Sequence, residues 1–282
     1  MAISVNTNLA SLTAQKSLSN ATTKMNTAME RMTTGFKINS SKDDAAGMAV
    51  STKLEYKLSS FNVAKDNVQM GSSLLDTAEG VLGVFNANLS RIRDLTEQAA
   101  NGTYGSDSLE SILQEVQARY DEITRISKSV EFNEKYLLNG SITEDIKLQV
   151  GIRNDENSVI ILNKNLFEDS SASILLGVSG ADLPNMYADD NAARAFLDNL
   201  DTALAEVTSK MSKIGCIQQR LLSSLDETEA MSDSVTSSIS TIKDADIAEE
   251  SSNYVKQQIL QQLSTSMLST ANQSPAIALN LV

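Results

Sequence analysis

The side chains in this sequence that could do chemistry are few. Asp43 and Asp44 stand together after Lys42, the residue types of a metal site or an acid–base pair. The chain contains no histidine, which excludes imidazole metal ligands, Ser–His–Asp triads and imidazole acid–base catalysis. Its single cysteine, Cys216, has no partner for an intramolecular disulfide. No activating neighbour beyond Lys213 and Arg220 is evident, so Cys216 reads as a tolerated thiol. No Walker-type glycine loop and no CxxC is present. Without further ligands, Asp43-Asp44 reads as the cap of a helix that begins near Ala45, since carboxylates accept from the free N–H groups of a first turn. The run Ser90-Arg91-Ile92-Arg93-Asp94-Leu95-Thr96-Glu97 reads as the solvated face of a helix, with Leu89 and Ile92 in its apolar seam. No enzyme, metal centre or cofactor is expected.

The elements around these residues are helical. Of 282 residues only two are proline and none is tryptophan. Ala, Ser, Leu, Asn, Gln, Asp and Glu dominate, as in long helices with polar faces. From Phe61 the series Phe61, Ala64, Val68, Gly71, Leu75, Ala78, Leu82, Phe85, Leu89, Ile92, Thr96, Ala99 alternates spacings of three and four. An unbroken heptad seam of that length predicts a helix of roughly 58 Å and a rod-shaped molecule. Shorter seams run through Leu18, Ala21, Met25, Ala28 and Met32, through Leu109, Ile112, Val116, Ile123 and Ile126, and from Phe196 through Leu200, Leu204, Val207, Met211, Ile214 and Leu221 to Leu225. The end of the chain, with Tyr254, Val255, Ile259, Leu263, Met267 and Ala271, is amphipathic again.

Turn residues divide the chain. Asn101-Gly102 is expected to close the long helix through a left-handed glycine, and Asp107 with Glu110 to open the next by a capping box. Asn139-Gly140 is expected to end that second helix. Ile146, Leu148, Val150 and Ile152 alternate, a polar turn follows, and Val159-Ile-Ile-Leu162 completes a β-hairpin near 141–165. From there to about Asp190 the sequence reads as loop, and Pro275 as the start of a short final helical turn. The fold class is therefore mainly α: a long antiparallel coiled-coil bundle or rod with one small β-hairpin excursion. Residues 43–242 form its body, and the terminal helices, 1–42 and 243–282, lie side by side at one end.

Charge and hydropathy limit the partners. A net charge of −13 argues against nucleic acid, whose phosphates require a basic surface. No apolar run approaches the ~20 residues that span a bilayer. The segment Met1-Ala-Ile-Ser-Val-Asn-Thr-Asn8 lacks a basic stretch followed by an apolar core, so any export is expected to proceed without a cleaved signal. Two terminal helices alone leave apolar stripes in water, and stripes of that kind mark interaction surfaces. The expected partner is a second copy of the chain, bound through Val5, Leu9, Leu12, Leu18, Met25, Met32, Ile259, Leu263, Met267 and Leu279. The terminal helices are expected to become fully ordered only on assembly.

The run Met32-Thr-Thr-Gly-Phe-Lys-Ile-Asn-Ser-Ser-Lys-Asp-Asp-Ala-Ala-Gly-Met48, with Val5-Asn-Thr-Asn8 before it, resembles the N-terminal signature of bacterial flagellin. Asp244-Ala-Asp-Ile-Ala-Glu-Glu250, Gln258-Ile-Leu-Gln-Gln262 and Ala271-Asn-Gln-Ser-Pro275 are similar to its C-terminal signature. The resemblance implies a filament subunit of the bacterial flagellum, exported through the flagellar type III apparatus and polymerised beneath a cap. It implies an inner-tube domain (D0) made by the terminal helices and a surrounding D1 domain made by 43–242. The stretch from Ser141 to Asp190 leaves no room for the outer domains D2 and D3 of longer members. Further partners implied are cap and junction proteins, an export chaperone acting on the C-terminal helices, and vertebrate Toll-like receptor 5, with Arg91, Leu95 and Glu115 at the receptor-contacting positions. Thr96-Glu97 departs from the small apolar pair usual there. Two alternatives stand beside the filament subunit: a hook–filament junction protein, and a hydrolase carried on a flagellin scaffold. The latter needs a His-containing insert that this chain lacks.

Overall fold

The structure, a computed structural model, describes residues 7–279, with 274–279 described by backbone alone. The described residues fall into two compact units, one drawn from 1–58 and 233–282, the other from 59–232. The helices are α1 (Leu9–Thr34), α2 (Ala45–Ala99), α3 (Ser106–Ser129), α4 (Ala172–Leu175), α5 (Leu183–Met186), α6 (Asp190–Lys243) and α7 (Ile247–Leu279). The strands are β1 (Glu131–Phe132), β2 (Lys135–Tyr136), β3 (Ile146–Gln149) and β4 (Val159–Leu162).

In the unit 59–232 the core sits on the seam of α2. All twelve predicted seam positions, Phe61 to Ala99, are buried. Ile112, Val116, Tyr120 and Ile123 of α3 and Phe196, Leu200, Ala203, Val207, Ile214 and Leu221 of α6 complete it. Both helices run antiparallel to α2. Arg91 and Asn88 meet Glu115 and Arg119 of α3, while Lys65, Asp76 and Arg93 meet Glu229, Gln218 and Asp201 of α6. The two seam members that are not ordinary apolar residues have local reasons. A β-carbon on Gly71 would lie 2.4 Å from Leu148 Cδ1, so only glycine admits the β3 side chain against the helix. Thr96 donates to the Ile92 carbonyl at 2.8 Å and shares a short hydrogen bond with the Tyr187 hydroxyl, which pairs both buried hydroxyls. Burial pushes the Tyr187 phenol up to about 12.

The expected hairpin forms from β3 and β4, antiparallel, with Ile146 opposite Leu162 and Gln149 opposite Val159. Several boundaries differ from the sequence reading. α3 stops at Ser129 rather than near Gly140, because β1 and β2 form a second hairpin there. Its two-residue turn, Asn133-Glu134, has φ of 47° and 64°, and an Asn at a left-handed position is the overlooked signal. Residue 102 does not take the left-handed conformation: α2 ends at Ala99, and the Ala100 and Asn101 amides bond back to Thr96 and Gln98. The Asp107–Glu110 capping box is absent, since Gly105 is the N-cap and Asp107 already lies inside the first turn. The stretch 163–190 is packed rather than loose. Leu166, Phe167, Ala172, Leu175, Leu176, Leu183 and Tyr187 are buried, and α4 and α5 give it short regular segments.

Candidate assembly surface

In the unit formed by 1–58 and 233–282, α1 and α7 pack antiparallel. Arg31 meets Glu250 at 2.8 Å, Gln261 Nε2 donates to Thr22 Oγ1 at 3.0 Å, and Ser11 Oγ donates to Asn272 Oδ1 at 2.7 Å. The contact face of α1 alternates small and large residues: Ala14, Ala21 and Ala28 are buried, and Leu18, Met25 and Met32 are half-buried beside them. The facing residues of α7 are mostly polar or small, with Glu250 and Ser264 buried and Gln257, Gln261 and Leu268 half-buried. A seam of small residues lets two backbones approach, and polar partners satisfy one another across it.

The larger apolar side chains of α7 point elsewhere. Val255, Ile259, Leu260, Leu263 and Met267 are 41–67% exposed. Their stripe is centred roughly 130° around the helix from the face that meets α1. On α1, Leu9 and Leu12 are likewise exposed, as is Met29. The predicted assembly residues therefore divide. Leu18, Met25 and Met32 serve contacts within the chain; Leu9, Leu12, Ile259, Leu263 and Met267 face solvent. Val5 lies outside the described residues, and the side chain of Leu279 does too. In this structure the terminal helices are paired through polar and alanine contacts that satisfy each other.

Ala14, Ala21, Ala28, Val255 and Leu260 were absent from the predicted set. A heptad of alanines at 14, 21 and 28 could have signalled the close face. Pro275, expected to begin a separate turn, lies within α7, which runs unbroken to Leu279.

The links between terminal and long helices are held in place. The Lys37 amide donates to the Lys243 carbonyl at 2.7 Å and the Ala245 amide to the Gly35 carbonyl at 2.9 Å, pairing Phe36 with Asp244 as a one-step antiparallel bridge. Lys243 Nζ lies 2.7 Å from Glu55 and 4.7 Å from the centre of the Phe36 ring. Asp44 Oδ1 accepts from the Ala46 and Gly47 amides at 3.0 Å and caps α2, the structural role expected of that carboxylate. Asp43 Oδ2 accepts from the Asn39 and Ser40 amides and the Ser40 hydroxyl, and these bonds hold its carboxyl below the usual range. A β-carbon on Gly47 would sit 2.7 Å from Ile38 Cδ1 and 2.4 Å from Asp44 Oδ2. The signature Lys42-Asp-Asp-Ala-Ala-Gly47 thus encodes a turn and a helix start.

Of the three residues expected as receptor contacts, Arg91 Nε donates to Glu115 Oε1 at 3.0 Å, and Arg119 reaches the same carboxylate. Arg91 and then Arg119 hold the Glu115 carboxyl below its ordinary value. Leu95 is 3% exposed and belongs to the core, so in the folded unit it offers no surface. Cys216 is exposed on α6. Among the described residues no group of His, Cys, Asp and Glu is arranged to hold a metal, and no helix is long and apolar enough to cross a membrane.

The bacterial flagellin N-terminal helical region matches residues 5–143, and the bacterial flagellin C-terminal helical region matches 197–282. The chain belongs to the bacterial flagellin family. It is 35% identical over 304 residues to a flagellin of Bacillus subtilis strain 168, covering 99% of each chain. It is 36% identical over 313 residues to a flagellin of Xenorhabdus nematophila, covering the whole of both. A solved putative flagellar hook-associated protein from Vibrio parahaemolyticus shares the fold, with a TM-score of 0.59 at 18% identity over 72% of this chain and 100% of that one. As a flagellin, the chain is a structural subunit that polymerises with its own kind into the extracellular filament of the bacterial flagellum.

Proposed function

We propose that the α1–α7 pair is the polymerising element of this flagellin and corresponds to its inner-tube domain, D0. Residues 43–242 then form D1, with no outer domains. The observation that carries this reading is the stripe Val255, Ile259, Leu260, Leu263 and Met267, turned away from α1 and left in water by a helix whose own partner contacts are already satisfied. Burying it needs another chain. In a homopolymer that chain is a second copy, and a heterologous contact repeated without closing generates a filament rather than a ring.

The same stripe is the natural binding surface for an export chaperone, which would keep it covered before polymerisation. Cap and junction proteins meet the subunits at the ends of the filament. The chain acts by assembly alone, with no catalysis. Toll-like receptor 5 is a further partner, reached through the Arg91–Glu115 pair.

The test compares the full chain with one lacking 1–40 and 243–282, seeded with preformed fragments and viewed by negative-stain electron microscopy. The full chain is expected to give uniform filaments and the trimmed one to remain monomeric. Polymerisation of the trimmed chain as readily as the full one would overturn the assignment.

A further inference from the structure

Near the start of α1 and the end of α7 the two helices are joined by one side chain. Asn8 is the N-cap of α1, and its Oδ1 accepts from the Ser11 amide at 3.0 Å. Its Nδ2 meanwhile donates to the Ala271 carbonyl of α7 at 2.7 Å, across 263 residues of sequence. That carbonyl is a particular one. In an α-helix it would accept from the amide four residues on, but residue 275 is a proline and has no N–H to give. A carbonyl left without its helical donor, facing another helix, needs a donor from elsewhere.

We infer that Asn8 is a positioning residue for assembly: its carboxamide supplies the donor that Pro275 withholds, and so locks the open end of the α1–α7 pair in the register set at its other end. Ser11, one turn into α1, bonds Asn272, the α7 residue next to Ala271, at 2.7 Å. At the other end of the pair the register is set by the Phe36–Asp244 bridge and the Arg31–Glu250 ion pair, and midway by Gln261 to Thr22. The alanines that repeat every seven residues add no register of their own, so towards the chain ends the side-chain bonds must keep the two helices in step. Short of its last turn, α7 withholds a helical donor only at Pro275, and Asn8 is the α1 residue that bonds the carbonyl so exposed. The pin therefore holds the exposed Leu9 and Leu12 in place along the helix axis relative to Ile259, Leu263 and Met267. A repeating lattice of subunits requires that relative height to be the same in every copy. The inference rests on the reading that the α1–α7 pair polymerises.

The test is a double-mutant cycle on the full chain, scored by the critical concentration for seeded polymerisation: wild type, Asn8→Ser, Pro275→Ala, and both together. Serine caps a helix about as well as asparagine but cannot reach the Ala271 carbonyl, whereas Pro275→Ala restores the helical donor to it. With Pro275 present, Asn8→Ser is expected to raise the critical concentration roughly two- to tenfold, the worth of one such hydrogen bond. In the Pro275→Ala background the same change is expected to cost less than about twofold, because the carbonyl no longer depends on residue 8. A cap or packing role alone predicts the same penalty in both backgrounds. That result, or no penalty beside Pro275, overturns the inference. If it fails while variants of Ile259, Leu263 and Met267 still block assembly, the pin is wrong and the polymerising element stands.

Discussion

Replacing Ile259, Leu263 and Met267 together by glutamine breaks the apolar stripe of α7, leaving Val255 and Leu260 of it, while its α1-facing side stays intact. Glutamine has nearly the helix propensity of leucine and methionine, so α7 keeps its conformation. The three side chains are 52%, 54% and 67% exposed in the single chain, so about half of each is still available for burial. Complete burial of such a side chain is worth about 1.5–3 kcal/mol, which leaves about 1 kcal/mol each, or about 3 kcal/mol for the three. At 1.4 kcal/mol per factor of ten, the critical concentration should rise about 100-fold, and further if the inserted carboxamides are buried unpaired. The assay is seeded polymerisation followed by light scattering, with the unpolymerised fraction measured after sedimentation. Circular dichroism of the monomer should be unchanged and its thermal melt nearly so, since these residues lie outside the face that meets α1. A critical concentration within about threefold of wild type, with α7 still helical, would refute the argument that this stripe drives assembly.

Three further outcomes are expected. Gly47→Ala should destabilise the start of α2 by about 1–3 kcal/mol, because its β-carbon meets the buried Ile38 and the capping Asp44; hydrogen exchange over 36–50 checks this. Lys210 is buried, donating to Ser170 Oγ at 3.0 Å and paired with Glu206 at 3.2 Å, so Lys210→Ala should cost about 1–3 kcal/mol in urea unfolding while Lys210→Met stays within about 1 kcal/mol of wild type. The carboxyl of Asp43 is depressed in the folded state, so its stabilising effect is fully present above the ordinary carboxylate value and is lost as pH falls through the folded one. Protease resistance of the 39–44 turn should accordingly be flat from about pH 8 to 5 and fall in acid, and Asp43→Asn should remove that dependence.

The long-helix core was legible because a seam with spacings of three and four is a strong periodic signal, and every α2 position it named is buried. The cap at Asp44 was legible for the same kind of reason, a residue type with one local use. Legibility failed where the chain departs from periodicity. The β1–β2 hairpin occupies six residues, too few for alternation to register, and only Asn133 announces it. The packing of 163–190 depends on Phe167, Leu176 and Leu183 meeting helices distant in sequence. The terminal pair was legible as amphipathic but not in its division. The largest side chains of α7 look like its core, yet alanines and polar groups make the internal contact. Which of two stripes faces in is decided by the partner helix, and α1 presents Ala14, Ala21 and Ala28 to it.

The pairing of α1 with α7 makes the first helix of the chain answer to the last. A product broken off anywhere before Glu250 carries an α1 whose alanine face has nothing to close on, and neither the Arg31 ion pair nor the Asn8 bond can form. A fragment that ends between Lys243 and Glu250 keeps α6 and the core on α2 and still lacks a finished end. Joining the ends of the sequence therefore ties the paired helices to a chain translated nearly to its end.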